Sequence, residues 1–191
     1  DIRVQNDLLD GFMNSFCALP ILIQTGKTHA ACGAATMLAL TVLHRSGLPI
    51  GAETYTPAIG LLTVVVGSYA PDVDLKNSTL GQKLRMISHL FRHRGLTHTL
   101  LFPVLLTLLM MGLKAQGMAV VPELLLGFNV GWVTHIIADA FNHKGVPILW
   151  PIVRKKLHVA SVHIGTWQES AFLWVWLIVT ILLTVSKLLG S

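Results

Sequence analysis

The chain has 191 residues, of which 53% are hydrophobic and only 12% charged, against about 25% charged in an ordinary soluble domain. That composition assigns the protein to a membrane and leaves too little polar sequence for a separate soluble module of any size. Its net charge of +5 reports orientation and anionic headgroups rather than nucleic acid, since the basic residues flank apolar segments and no recognition motif accompanies them.

The first 24 residues are an N-terminal extension of unclear status. The stretch FMNSFCALPILI is apolar but too short to span, and DIRVQNDLLD lacks the basic start of a secretory signal. Gly26, Lys27 and Thr28 resemble the end of a phosphate-binding loop, but Ile21 occupies the position of the required first glycine, so there is no P-loop. Residues 25–191 form a single membrane-embedded domain. Crossing the hydrocarbon needs about 20 mostly apolar residues, and the candidates are approximately 30–48, 56–70, 96–113, 120–141 and 171–189. The expected fold class is therefore all-α, a polytopic membrane bundle of four to five spans. Between the second and third spans, Leu80, Leu84, Ile87, Leu90 and Phe91 recur at helical spacing opposite Lys83, Arg85 and Arg92, the pattern of an amphipathic helix on the membrane surface. Cys17 and Cys32 have no CxxC spacing and read as small packing residues.

The connection after the second span carries Lys76, Lys83, Arg85, Arg92 and Arg94, and the one after the fourth carries Lys144, Arg154, Lys155 and Lys156. Both are expected on the cytoplasmic side, with the N-terminus inside and the C-terminus outside. In that topology His29 opens the first span, Asp72 and Asp74 close the second, His93 and His98 open the third, and His135 and Asp139 close the fourth. All seven then meet at one cytoplasmic depth, and His135 and Asp139, four apart, share a helix face. Ionisable groups at membrane depth are costly, and their convergence from four segments marks a functional site.

Mixed imidazole and carboxylate ligands suit zinc, with manganese or iron as alternatives. Seven candidates exceed the ligands of one catalytic zinc, so either two ions bind or some of the seven orient ligands and move protons. Arg94 can hold a phosphate or carboxylate by a two-pronged contact, and Asp74 and His98 are the further candidate catalytic residues. His44, His89, His143, His158 and His163 read as interfacial histidines, Glu169 as a solvated span end with a base reaching the site as the alternative, and the five tryptophans as packing and interface anchors.

The segments PDVDLKNSTLGQKL, HRGLTHTLL and THIIADAFNHKGVPILWP resemble successive motifs of the YdjM-like group of bacterial inner-membrane proteins, described as metal-dependent hydrolases, and His29 matches an early histidine of that group. The resemblance covers roughly residues 25–151. It implies a cytoplasmic-membrane location and metal-assisted hydrolysis with the same residues as ligands. Asn142 and His143 depart from the group's Thr and Pro, so His143 gains nothing from it.

The leading expectation is a hydrolase acting on an ester, a phosphoester of a lipid or lipid-linked molecule, with membrane lipids as partners and no nucleic acid. The alternative is a metal, ion or lipid transporter with the same ligands and no chemistry. Against transport, the ligands lie near one face rather than at the midplane and no inverted repeat is visible. An intramembrane metalloprotease would need an HExxH helix, which is absent from the sequence.

Overall fold

The computed structural model describes residues 25–45, 57–74, 96–118 and 120–190. Among these the chain is helical: α1 (Thr25–Arg45), α2 (Pro57–Tyr69), 3-10 turns at Pro71–Asp74 and Leu96–His98, α3 (Leu101–Ala115), α4 (Val120–Ala140) and α5 (Trp167–Leu189). The only bridging between extended segments among the described residues is two isolated pairs, Asn142 with Val162 and Val146 with Leu157.

Local chemistry sets the ends of these helices. Pro57 opens α2, where a missing N–H costs nothing, and Pro71 stops it by disfavouring helical geometry at Ala70. Pro103 and Pro122 sit in the first turns of α3 and α4, among the donors that have no partner within the helix. The Thr166 side chain caps α5 by accepting from the Gln168 N–H at 3.3 Å.

Two glycines bring α2 and α4 into backbone contact. A Cβ on Gly67 would run into the Phe128 backbone, and one on Gly131 into the Val64 carbonyl. Close approach of this kind is how helices associate where burial of apolar surface cannot drive them together. Helix α1 packs on both α2 and α4, α3 packs on α4, and α5 packs on α1. The core joins Trp132, Ile136 and Ala140 of α4 to Ala70 and Val146, with Phe102, Phe128 and Ile148 against it. Phe102 stacks on the Trp132 ring, centroids 4.0 Å apart.

Helices α4 and α5 are the two among the described residues long and apolar enough to cross a membrane, while α2 and α3 are apolar but shorter. Helix α5 turns Trp174, Ile181, Leu182 and Leu183 outward, a surface matched to lipid rather than water. Helix α1 begins at Thr25 rather than at the expected residue 30, which places His29 inside its second turn. The expected third span starts not as a helix but as the Leu96–His98 turn, with α3 following from Leu101. The expected amphipathic helix, the N-terminal extension and Cys17 lie outside the described residues; Cys32 is buried and not disulfide-bonded.

Candidate metal centre

Five ionisable side chains from four elements meet at one end of the bundle. His29 comes from α1, Asp72 from the turn that follows α2, His98 from the turn that precedes α3, and His135 and Asp139 from successive turns of α4. His29, His98, His135 and Asp139 are buried, and Asp72 is partly so. Burying two carboxylates is expensive unless positive charge or hydrogen bonds compensate it.

The Asp139 carboxylate lies between two histidines: Oδ1 is 3.4 Å from His29 Nε2 and Oδ2 is 3.4 Å from His98 Nε2. Asp72 Oδ1 lies 3.8 Å from His98 Nε2 and 3.6 Å from His135 Nε2, and Asp139 Oδ2 is 4.0 Å from His135 Nε2. These separations exceed hydrogen-bond length, about 2.7–3.2 Å. They approach the roughly 3.4 Å expected between two ligands that each sit ~2.1 Å from a tetrahedral ion. The rings crowd together, with His29 and His135 centroids 4.2 Å apart and His98 and His135 5.3 Å apart.

The protonation of His135 can be read from its surroundings. Its Nδ1 lies 2.7 Å from the Ser68 carbonyl oxygen, which can only accept, so Nδ1 carries the hydrogen. In the neutral ring Nε2 is then a bare lone pair, buried and without a hydrogen-bond partner, facing Asp72 at 3.6 Å and Asp139 at 4.0 Å. A lone pair opposed to two carboxylates is repulsive, and a cation among them makes every one of these contacts attractive. A proton on Nε2 would instead draw a carboxylate to hydrogen-bond distance. The donor set therefore fits a metal ion.

Two overlapping triads could hold one: His29, His135 and Asp139, and Asp72, His98 and His135, with ligand atoms within 4.8 Å of one another in each. They share His135, whose Nδ1 is committed to Ser68 and whose Nε2 serves one ion only. Filling both at once would need Asp139 to bridge. Supporting groups surround the ligands. The Thr97 hydroxyl sits 3.0 Å from His98 Nδ1, the position from which it fixes the ring with Nε2 toward the carboxylates. Thr97 is held in turn by Trp132, whose Nε1 donates to the Thr97 carbonyl at 2.9 Å.

Glu169 is not a solvated span end. It is buried; its Oε1 accepts from the Thr28 hydroxyl at 2.7 Å and its Oε2 from the Gly165 N–H at 2.8 Å. A polar first turn on an otherwise lipid-facing helix read as exposed, but the chain after α4 brings it against α1. Glu169, His29, Asp139 and Asn142 line a cavity of about 20 Å³, room for about one water molecule.

Of the seven expected ligands, His29, Asp72, His98, His135 and Asp139 are brought together. Asp74 ends the turn that carries Asp72, but its side chain, together with His93 and Arg94, lies outside the described residues. His143 and His163 stack on each other at 5.1 Å and form no part of the cluster. The sequence reading missed Ser68, Thr97 and Thr28, and it favoured exposure for Glu169 over a place beside the site. One signal for the threonines was present: each clustered histidine directly follows a threonine, at Thr28–His29, Thr97–His98 and Thr134–His135. All three threonines are buried.

No solved structure matches the chain. Over 87 residues it is 42% identical to inner membrane protein YdjM of Escherichia coli strain K12, and equally to that of Shigella flexneri; each match covers 42% of this chain and 43% of the relative. The chain thus spans under half the length of these curated relatives. It is also 27% identical over 156 residues to the uncharacterized protein YvsG of Bacillus subtilis strain 168, covering 78% of this chain and 87% of that one. The family model described as YdjM inner membrane protein matches residues 24–190, and the chain belongs to that family.

Proposed function

We propose that the protein is a multi-pass metal-dependent hydrolase of the bacterial inner membrane, cleaving a phosphoester of a lipid or lipid-linked substrate at the cytoplasmic face. The observation that carries the reading is His135, whose bare Nε2 is aimed at the carboxylates of Asp72 and Asp139 by the Ser68 carbonyl. The family's description and its curated relatives' names support the inner-membrane location.

His29, Asp72, His98, His135 and Asp139 would hold the cation, and this mixture of imidazole and carboxylate donors suits zinc. A bound divalent cation supplies Lewis acidity, making water a nucleophile near neutral pH and stabilising charge on a phosphoryl oxygen. The protein's part is to hold, orient and exclude. Ser68 and Thr97 fix two imidazole rings. Asp72, whose side chain is 16% exposed while His29, His98, His135 and Asp139 are at most 6%, is the open edge at which substrate arrives. Immediately after it in sequence come Lys76, Lys83, Arg85, Arg92 and Arg94. These draw anionic headgroups, each contributing about 1 kcal/mol at the membrane surface, and Arg94 orients one phosphate by its planar fork. The sequence adds Asp74 and His93 as further candidate ligand or proton-transfer groups.

The test is elemental analysis of detergent-purified protein together with lipid mass spectrometry after incubation with native lipid extract. At least one transition-metal equivalent, and lipid consumed only by the metal-loaded protein, is the expected result. Unchanged lipid profiles coupled with metal uptake into proteoliposomes would replace hydrolysis with transport.

A further inference from the structure

A second cavity, of about 510 Å³, lies between α1, α4 and α5 and is walled by Leu40, Leu43, Ile137, Phe141, Phe172 and Leu183 among others. Its polar wall groups are occupied within the protein. Thr36 donates to the Cys32 carbonyl at 2.9 Å, Trp176 Nε1 to the Thr36 hydroxyl at 3.2 Å, Thr180 to the Trp176 carbonyl at 2.8 Å and Thr184 to the Thr180 carbonyl at 2.7 Å. The wall therefore offers hydrocarbon contact.

Phe172 lines both this groove and the small cavity beside His29 and Asp139, so one end of the groove abuts the metal cluster. From Phe172 to Leu183 it follows three turns of α5, about 16 Å at 1.5 Å per residue, close to the ~15 Å of one bilayer leaflet. An extended peptide in the groove would bring backbone N–H and C=O groups to a wall without partners for them. A single hydrocarbon chain meets both constraints.

We infer that this groove holds one acyl chain of the substrate, whose phosphate-bearing head lies at the metal cluster. The inference rests on the hydrolase reading and names its substrate class: a lipid with an acyl chain about one leaflet long, which enters sideways from the bilayer past the lipid-facing side of α5.

The experiment uses phosphatidylglycerol with a photoactivatable group at the end of one acyl chain, in short-, medium- and long-chain forms, crosslinked to the full chain in nanodiscs. Long chains should label the Leu43 and Leu183 end and short chains the Phe141 and Phe172 end. Val179→Trp and Ala39→Trp, which fill the groove, should each cut groove labelling about tenfold through overpacking while keeping bound metal. Leu108→Trp, on the exposed side of α3, should leave it unchanged. Labelling spread evenly over α3 and α5, labelling independent of chain length, or no loss in either groove variant would mean boundary lipid only and would overturn the inference. So would an unlabelled groove blocked by residues 1–24 of the chain itself. Loss of groove labelling with metal and lipid turnover intact sinks the groove alone; chain-length-dependent groove labelling in a protein that carries no metal sinks hydrolysis and leaves the groove.

Discussion

The Thr28 hydroxyl donates to Glu169 Oε1 at 2.7 Å, joining the residue before His29 to the first turn of the last helix. With Gly165 holding the other oxygen, this buried carboxylate clamps α5 onto α1 at the edge of the metal cluster. Glu169→Ala leaves a buried hydroxyl and an amide without their acceptor, and should cost about 1–3 kcal/mol. Glu169→Gln, which keeps one acceptor oxygen, should cost less. Thermal unfolding in detergent measures both, and an Ala variant as stable as wild type would remove the clamp.

Metal removal should destabilise the protein, because an ion that binds only the folded cluster adds about 2.7 kcal/mol at a free concentration 100 times its dissociation constant. Chelation should lower the Tm of wild type and of His44→Ala. His98→Ala and Asp139→Ala should carry no stoichiometric metal and show no response to chelator. Full metal retention in both site variants would refute the cluster assignment.

The contact of α2 with α4 at Gly67 and Gly131 sets the distance between Ser68 and His135, so packing there and metal affinity should change together. Gly131→Ala places a methyl group against the Val64 carbonyl and should cost about 1–3 kcal/mol. It should also weaken metal binding, although residue 131 bears no ligand. Isothermal titration with zinc checks the second effect; unaltered affinity in a destabilised variant would show that the ligands are positioned independently of this contact.

Arg94→Lys should retain metal and lose most turnover, since a point charge replaces a two-pronged donor, whereas Asp74→Asn should weaken both. Turnover per bound metal, measured on the same preparations, separates these outcomes. Near-neutral behaviour of Arg94→Lys is what a carrier would show.

Lys155 follows α4 and Gln116 ends α3, just before α4 begins. The 21 residues of α4 hold its ends about 30 Å apart. In a background lacking Cys17 and Cys32, a cysteine at Lys155 should resist impermeant thiol reagents in intact cells and one at Gln116 should react. The reverse pattern would move the metal cluster to the outer face.

The candidate site was more legible in the sequence than the architecture around it. Charge at a membrane edge is costly enough that His29, Asp72, His98, His135 and Asp139 were visible as a group without any contact being known. The loop charges supplied a topology that brings them to the same end. Span boundaries were less legible, because Leu96 and Leu100 join residues 96–100 to the apolar run of α3 and only backbone geometry marks the break between them. Glu169 was misread since exposure depends on what the chain between residues 141 and 166 covers, and hydropathy carries no record of that. Ser68 acts through its carbonyl, which every residue possesses, so no side-chain pattern could have singled it out.

The order in which the ligands leave the ribosome follows from their positions. His29 is made first and Asp139 last, and the oxygens of Asp139 face histidines from both α1 and the turn before α3. Until α4 is in place, Asp72 and two imidazoles stand at the membrane edge without the carboxylate that joins them. A cluster that α4 completes can take up an ion only late in synthesis, and a chain arrested before residue 135 would offer an incomplete set of candidate ligands.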